Sequence, residues 1–150
     1  MNVEKAFMYG FEAGLEVQFL KKFSFSLGAA YTYAQNISWD EPLSEIPPFA
    51  VNTSLNYKGE KLEAALSSRI VAKQARISES FSETETPGFT VTDFKIFYTP
   101  FNMLKLYFSA TNIFDVNYVE HLSRAYKNMD VQSLYYEPGR SFNIGMKLNF

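Results

Sequence analysis

The sequence lacks several features that would narrow its class. Its 150 residues include no cysteine, one tryptophan and one histidine. Without cysteine there is neither a disulfide framework nor a thiolate metal site, and redox compartment cannot be inferred. Because His121 is the single histidine, no multi-histidine metal site or serine–histidine–aspartate triad can form within the chain. We therefore predict no catalytic residues, no resident cofactor and no bound structural metal.

Strong charge and long apolar runs are also missing. The net charge is −2 and the basic residues are scattered, which argues against nucleic acid as a partner. No apolar run approaches the roughly 18 residues of a transmembrane helix. The sequence shows no secretory signal at its start and no glycine-rich phosphate loop. These absences leave a transmembrane β-structure open, because its strands show only alternation.

Aromatic residues and a period of two dominate instead. Phe and Tyr number 15 and 10, which is typical of strands. Apolar and polar side chains alternate over seven stretches, as in strands with two unlike faces. The predicted strands cover residues 7–19, 23–33, 49–57, 62–70, 94–98, 104–110 and 139–150. No helical stretch of comparable clarity competes, so the sequence predicts an all-β fold of about seven strands.

The predicted connections alternate between short and long. The short connections cover residues 20–22, 58–60 and 99–102, and the long ones cover 34–48, 72–88 and 115–139. All six prolines fall in connections or at the first residue of a strand, as expected when strands are paired on both sides. We therefore predict an antiparallel up-and-down meander, with tight turns at one end and long loops at the other.

The alternation fits two environments. In a transmembrane barrel the apolar side contacts lipid, whereas in a soluble small barrel it encloses a core or an apolar ligand. Aromatic side chains favour the membrane because they form two bands on the apolar side, near the strand ends. The band at the short turns comprises Phe19, Phe23, Tyr57, Tyr98 and Phe150, and the band at the long loops comprises Tyr9, Tyr31, Tyr33, Phe49 and Phe142.

Strand parity predicts an open sheet. The first and last of seven meander strands run the same way, so they cannot close as an antiparallel pair. An open edge in hydrocarbon leaves unsatisfied backbone groups. We expect the missing strands to come from a longer parent chain, with Met1 beginning inside it, and an isolated chain to pair its edges with another copy. Phe150 would then end at the periplasmic interface.

Three stretches resemble the C-terminal third of the barrel of a TonB-dependent outer-membrane receptor. They are NVEKAFMYGFEAGLEVQF (2–19), SATNIFDVNYVEHLSR (109–124) and YEPGRSFNIGMKLNF (136–150). The positions that carry the family motifs are Asn112, Phe114, Asp115, Tyr118, Pro138, Gly139, Arg140 and Phe150, with Ile113 where leucine is commoner. The resemblance implies that residues 1–150 are the C-terminal segment of such a barrel, without its plug and N-terminal strands.

The resemblance also implies a function. It points to TonB-coupled uptake of a scarce nutrient across the outer membrane of a Gram-negative bacterium, and the similarity of YVEHLSR to metal-chelate receptors favours a metal chelate. The implied partners are membrane lipid, the remaining strands and plug of the parent receptor, TonB through the absent plug, and a small-molecule nutrient. A soluble small β-barrel that binds an apolar ligand is the alternative.

Charged residues on the polar side are candidates for contact with the plug or the substrate path. They are Glu12, Glu16, Glu63, Arg69, Lys73, Asp93, Lys95, Lys105 and Arg140. For each of them, solvation in the lumen is the plainer alternative. Arg140 is expected near the extracellular rim, where it either pairs with lumenal or loop carboxylates or is simply solvated.

The last long connection holds the candidates for extracellular contact, which are Glu120, His121 and Arg124. His121, with Met129 or Asp130, either touches a metal-bearing ligand or is an ordinary loop histidine. Glu83 and Glu85 are predicted to be solvated.

Two local roles are predicted from the motifs themselves. Asn112 and Asp115 should satisfy backbone groups where a strand becomes a loop. Gly139 is expected to adopt a positive φ at the start of the last strand, and Pro138 to stiffen the approach to it.

Overall fold

A computed structural model of the chain describes residues 5–123 and 135–149. Its strands are β1 (Ala6–Phe19), β2 (Phe23–Asn36), β3 (Glu41–Pro42), β4 (Ala50–Lys58), β5 (Leu62–Val71), β6 (Phe89–Phe101), β7 (Leu104–Thr111) and β8 (Ser141–Leu148). No helix in these two ranges is long and apolar enough to span a membrane. The all-β meander is confirmed, and β3 is a two-residue addition within the first long connection.

The strands form one antiparallel sheet in the order β1-β2-β4-β5-β6-β7-β8, and β3 pairs with β2. Among the described residues, β1 pairs only with β2 and β8 only with β7, so the sheet is open. The long connections that the structure describes lie at one end, namely the first loop (37–49), the second loop (72–88) and the two described parts of the third loop (112–123 and 135–140). The short turns lie at the other end.

The register keeps two chemically different faces continuous across the sheet. One row of directly paired residues is Val17, Phe25, Leu55, Leu66, Phe94, Ala110 and Phe142. The adjacent row on the opposite side is Glu16, Ser26, Ser54, Ser67 and Asp93. We call these sides the apolar face and the polar face. Because side chains alternate along a strand, a one-residue slip would exchange the two faces.

The apolar face is exposed in this structure. Leu66 is 43% exposed and Ile144 is 80% exposed. The buried hydrophobic residues of the described ranges are only Ala34, Val71, Ala110 and Val119. A soluble barrel that encloses an apolar ligand would bury this face, so the fold argues against that alternative.

The two predicted aromatic bands are present on the apolar face. At the short-turn end, the rings of Phe19 and Tyr57 flank Phe23 at centroid distances of 5.6 and 5.0 Å. At the long-loop end, Tyr9 stacks on Tyr33 at 4.9 Å. Rings of this kind are stable where an apolar medium meets water. Phe150 lies outside the described residues.

One predicted turn is wrong. Residues 99–102 are not a turn, because β6 continues through Pro100 to Phe101, and only Asn102 and Met103 remain as the connection. The register with β7 shifts between Tyr98 and Phe101. Proline is tolerated there because this irregularity interrupts the pairing with β7.

An arginine in place of Leu66 tests the environment of the apolar face. In a bilayer, Leu66→Arg should lower the free energy of unfolding by about 2–4 kcal/mol, because a charge near the midplane loses its hydration. The measurement is denaturant unfolding of the complete barrel in lipid vesicles. Ser67→Arg, one residue away on the polar face, is the matched control and should change stability far less. Equal losses for both variants would contradict the assignment.

Candidate functional site

The polar face carries small and charged side chains around a cavity. This cavity is about 580 Å³ in volume, and its polar lining residues include Ser26, Asn52, Ser54, Ser67, Arg69, Asp93 and Tyr118. The serine and asparagine side chains come from β2, β4 and β5, and their small size leaves the space open. The charged and aromatic lining residues, Arg69, Asp93 and Tyr118, lie towards the long loops.

Arg69 and Glu120 form a two-point ion pair at that end. The Nη1 and Nη2 groups of Arg69 donate to Oε1 and Oε2 of Glu120, each over 2.5 Å. The Arg69 guanidinium also lies 5.3 Å from the ring centroid of Phe89. A paired arginine fork is rigid and directional. β5 and the third loop are therefore joined directly above the cavity.

Tyr118 and Asp93 lie beside the Arg69–Glu120 pair, and these four residues form one cluster. The ring of Tyr118 packs on Phe89 at a centroid distance of 4.4 Å. Burial raises the pKa of the Tyr118 hydroxyl, and the charge of Glu120 raises it further, so the phenol stays protonated. Asp93 Oδ1 accepts the backbone N–H of Asn112 over 2.8 Å. The structure thus brings together four residues predicted separately, namely Arg69, Asp93, Tyr118 and Glu120.

The other predicted polar-face charges lie apart from this cluster. Lys73 pairs with Glu85 over 2.5 Å within the second loop. Lys105 lies 4.0 Å from Glu63, and its Nζ is 4.6 Å from the Phe97 ring centroid, towards the short turns. Three further residues make no ion pair with any residue in the described ranges, and these are Glu12, Glu16 and Lys95.

Arg140 lies just before β8, at the long-loop end of the sheet. Its guanidinium lies 5.8 Å from the ring centroid of Phe142, which belongs to the apolar face. Its neighbour Ser141 points to the other side, where it forms a 2.7 Å hydrogen bond with Thr111. The Nη2 group of Arg140 lies 4.0 Å from Oδ2 of the loop residue Asp115, so Arg140 pairs with a loop carboxylate, which is one of its two predicted alternatives.

The motif residues after β7 stabilise the backbone, as predicted. Asn112 Oδ1 accepts the N–H of Val116, and Asp115 Oδ1 accepts the N–H of Arg140, both over 2.8 Å. Asn112 and Asp115 adopt positive φ angles of 50° and 54°. The predicted positive φ of Gly139 is wrong. A Cβ on Gly139 would lie 3.0 Å from Asp115 Oδ1, so a larger residue would crowd the carboxylate that accepts the Arg140 amide.

The motif residues Phe114 and Pro138 contribute less to the local structure than Asn112 and Asp115 do. Phe114 is 71% exposed. Pro138 contributes its carbonyl, which accepts a long 3.4 Å hydrogen bond from Asn112 Nδ2.

Glu83 is buried, contrary to the prediction that it is solvated. Its side chain is 1% exposed. Its carboxylate accepts the backbone N–H of Glu45 over 2.6 Å and that of Ser78 over 2.7 Å. The Glu83 carboxylate therefore links the first loop to the second. Nothing in the polar run around Glu83 distinguishes it from its neighbours, so sequence reasoning had no signal for this role.

His121 connects the third loop to the buried Glu83 carboxylate. Its side chain is 2% exposed, with Nε2 3.8 Å from Glu83 Oε1. Its Nδ1 lies 3.2 Å from Thr86 Oγ1. His121 is therefore buried between the second and third loops. Residues 5–123 and 135–149 contain no cluster of three or more metal-ligating side chains. The other loop candidates, Arg124, Met129 and Asp130, lie outside these ranges.

Comparisons with known proteins identify the family. The family model described as TonB dependent receptor-like, beta-barrel matches residues 1–113. The chain therefore belongs to the TonB-dependent receptor β-barrel family, whose members are outer-membrane proteins of Gram-negative bacteria. A search of curated proteins finds no match to the sequence.

Solved structures agree with this assignment. The copper transporter OprC is 27% identical, with a TM-score of 0.83 over 97% of this chain and 24% of that chain. A mutant of the ferric enterobactin receptor PfeA from Pseudomonas aeruginosa is 21% identical, with a TM-score of 0.76 over 99% of this chain and 23% of that chain. The ferric yersiniabactin uptake receptor FyuA from Yersinia pestis is 15% identical, with a TM-score of 0.76 over 97% and 24%. The last two comparisons show the fold alone, and the chain spans about a quarter of each structure.

Replacing Glu83 tests its role in joining the loops. Glu83→Gln should raise the exchange rate of the Glu45 and Ser78 amide hydrogens by about tenfold or more, since each loses a charge-assisted acceptor inside a buried site. Hydrogen exchange of the complete barrel measures this. Glu85→Gln is the matched control, because Glu85 is half-exposed and pairs with Lys73. Unchanged exchange at Glu45 and Ser78 would refute the role.

Acidification tests a second contact between the loops. Burial raises the pKa of Glu41, but hydrogen bonds from Ser80 and Ser78 outweigh it and hold the pKa below its ordinary value of 4.5. The contact is therefore complete above pH 4.5 and is lost as the pH falls through the lowered pKa. The protection factor of the Ser80 amide should fall over that range in the native barrel. A similar fall in Glu41→Gln would show that another group is responsible.

Proposed function

We propose that this chain forms part of the barrel of a receptor that takes up a metal ion or metal chelate across the outer membrane in a TonB-coupled manner. The observation that carries the proposal is the cavity on the polar face, which is lined at its loop end by Tyr118 and by Arg69, the partner of Glu120. The family supports the receptor role. OprC, which is named as a copper transporter, supports the choice of nutrient class.

The remaining parts of the barrel are included in this proposal. The free edges of β1 and β8 pair with further strands, and a plug lies against the polar face. Glu12, Glu16 and Lys95 are suited to contact that plug because they have no ion-pair partner in the described part of the chain. TonB acts through the plug. In isolation, the chain is expected to associate with copies of itself through the same edges.

The loop end of the cavity suits a polar nutrient. Arg69 holds its guanidinium in a fixed orientation, and the raised pKa of Tyr118 keeps a neutral hydroxyl beside it. Oxygen-bearing ligands accept hydrogen bonds from both groups. A metal chelate with carboxylate or catecholate oxygens therefore fits this surface by its donor and acceptor chemistry.

Uptake by the full-length receptor tests the proposal. The receptor is expressed in cells that lack their own receptors for the nutrient, and accumulation of copper ions and of ferric siderophore complexes is measured in separate arms. We expect accumulation of at least one of them to require both the receptor and TonB. Accumulation that is equal without TonB, or absent in every arm, would reject the proposal.

Arg69→Gln tests the part played by the cavity. This variant should lower the uptake rate by about tenfold, because it removes a charge-assisted pair and leaves Glu120 without its partner. Lys58→Gln removes the same charge at the short-turn end and should leave uptake unchanged. The amount of folded receptor at the cell surface is measured for each. Normal uptake by a normally folded Arg69→Gln receptor would exclude Arg69 from the substrate path.

A further inference from the structure

A groove lies between β2 and the second loop at the long-loop end of the sheet, and its lining includes Tyr31 of the apolar face and Thr32 of the polar face. The pairing of β2 with β4 ends at Ala30, and β2 next pairs with β3 at Gln35. The chain between these two points borders a cavity of about 240 Å³. Most of its lining is apolar and includes Tyr31, Pro42, Leu43, Ile46, Pro47 and Phe49. Prolines have no backbone N–H, so this part of the groove offers few hydrogen-bond donors.

The groove adjoins the membrane-facing surface rather than the polar face alone. Tyr31 pairs with Phe11 across β1 and β2. The rings of Phe11, Tyr31 and Phe49 form one cluster, with centroid distances of 6.2 to 6.5 Å. This cluster belongs to the aromatic band at the long-loop end. The groove is therefore level with the region where lipid headgroups meet hydrocarbon.

Arg76 supplies a positive charge to the lining of this groove. Its guanidinium lies 4.0 Å from the ring centroid of Tyr33, and its Nη2 donates to Gln35 Oε1 over 2.8 Å. These two contacts fix the guanidinium, yet Gln35 takes only one of its five N–H donors. Arg76 is exposed and makes no ion pair with any described residue. The other cation in the lining, Lys73, is already paired with Glu85.

We propose that this groove binds a phosphorylated lipid of the outer leaflet, with an acyl chain in the groove and a phosphate on Arg76. An apolar groove and an uncompensated arginine together match an amphiphile with an anionic head. The planar guanidinium suits phosphate because it can donate two parallel hydrogen bonds. This inference rests on the proposed function only for the orientation of the barrel, with the long loops outside.

Lipid retention by the full-length receptor tests this site. The purified receptor is mixed with detergent micelles that contain bis-phosphorylated lipid A, and retained lipid is counted by native mass spectrometry. Arg76→Gln should retain about tenfold less lipid A than the wild type. Lys22→Gln, which removes a charge at the opposite rim, should match the wild type. Equal retention by Arg76→Gln and the wild type would overturn the proposal.

Two further arms separate the parts of the site. Ala75→Trp adds a large side chain to the groove lining without changing Arg76, and it should also lower retention. Inorganic phosphate should not displace the lipid, and displacement would show a site for soluble anions instead. Uptake is measured on the same receptors. Normal uptake without lipid retention defeats only the lipid site, whereas retention without uptake defeats only the proposed transport.

Discussion

The separation of the two faces depends on backbone pairing. Inside a bilayer no water is available for an unpaired N–H or C=O, so each strand must satisfy its backbone through its neighbours. The register does this from β1 to β8 and fixes which side every residue occupies. Glu16 and Asp93 reach the polar face, and Val17 and Phe94 the apolar face, because each pair occupies consecutive positions of one strand. The position of a strand residue in the register therefore decides whether its side chain meets the polar or the apolar side.

The long loops satisfy their backbone in another way. They contain few ladder hydrogen bonds, so side-chain oxygens take the place of a neighbouring strand. Glu83 accepts amides from two loops, and Asp93 and Asp115 accept the amides of Asn112 and Arg140. Several carboxylates near the extracellular end are therefore structural. A charge in a receptor loop is a weak indication of nutrient contact until its hydrogen-bond partners are known.

This difference explains what the sequence could predict. A period of two follows from strand geometry, so the strands, their faces and both aromatic bands were predictable from residues such as Phe23 and Tyr33. The burial of Glu83 was not, because it depends on Glu45 and His121, which are 38 residues before it and 38 residues after it in the numbering. The pairing of Arg140 with Asp115 could be predicted because both lie near the loop end of the sheet, whereas the positive φ expected at Gly139 was wrong because the backbone there does not adopt it.

Three charges of the polar face make no ion pair with a described residue, and their placement bears on what lies against this face. Glu12 and Glu16 lie on β1 at one edge, whereas Lys95 lies on β6 towards the other. Asp93, also on β6, already accepts the Asn112 amide, and Lys105 lies 4.0 Å from Glu63. Like charges on one side of a surface orient a partner, since the reverse placement would set equal charges together. A plug with the opposite distribution would therefore be held in one orientation by the strands, while the loops, joined through Glu83, remain a separate unit above it.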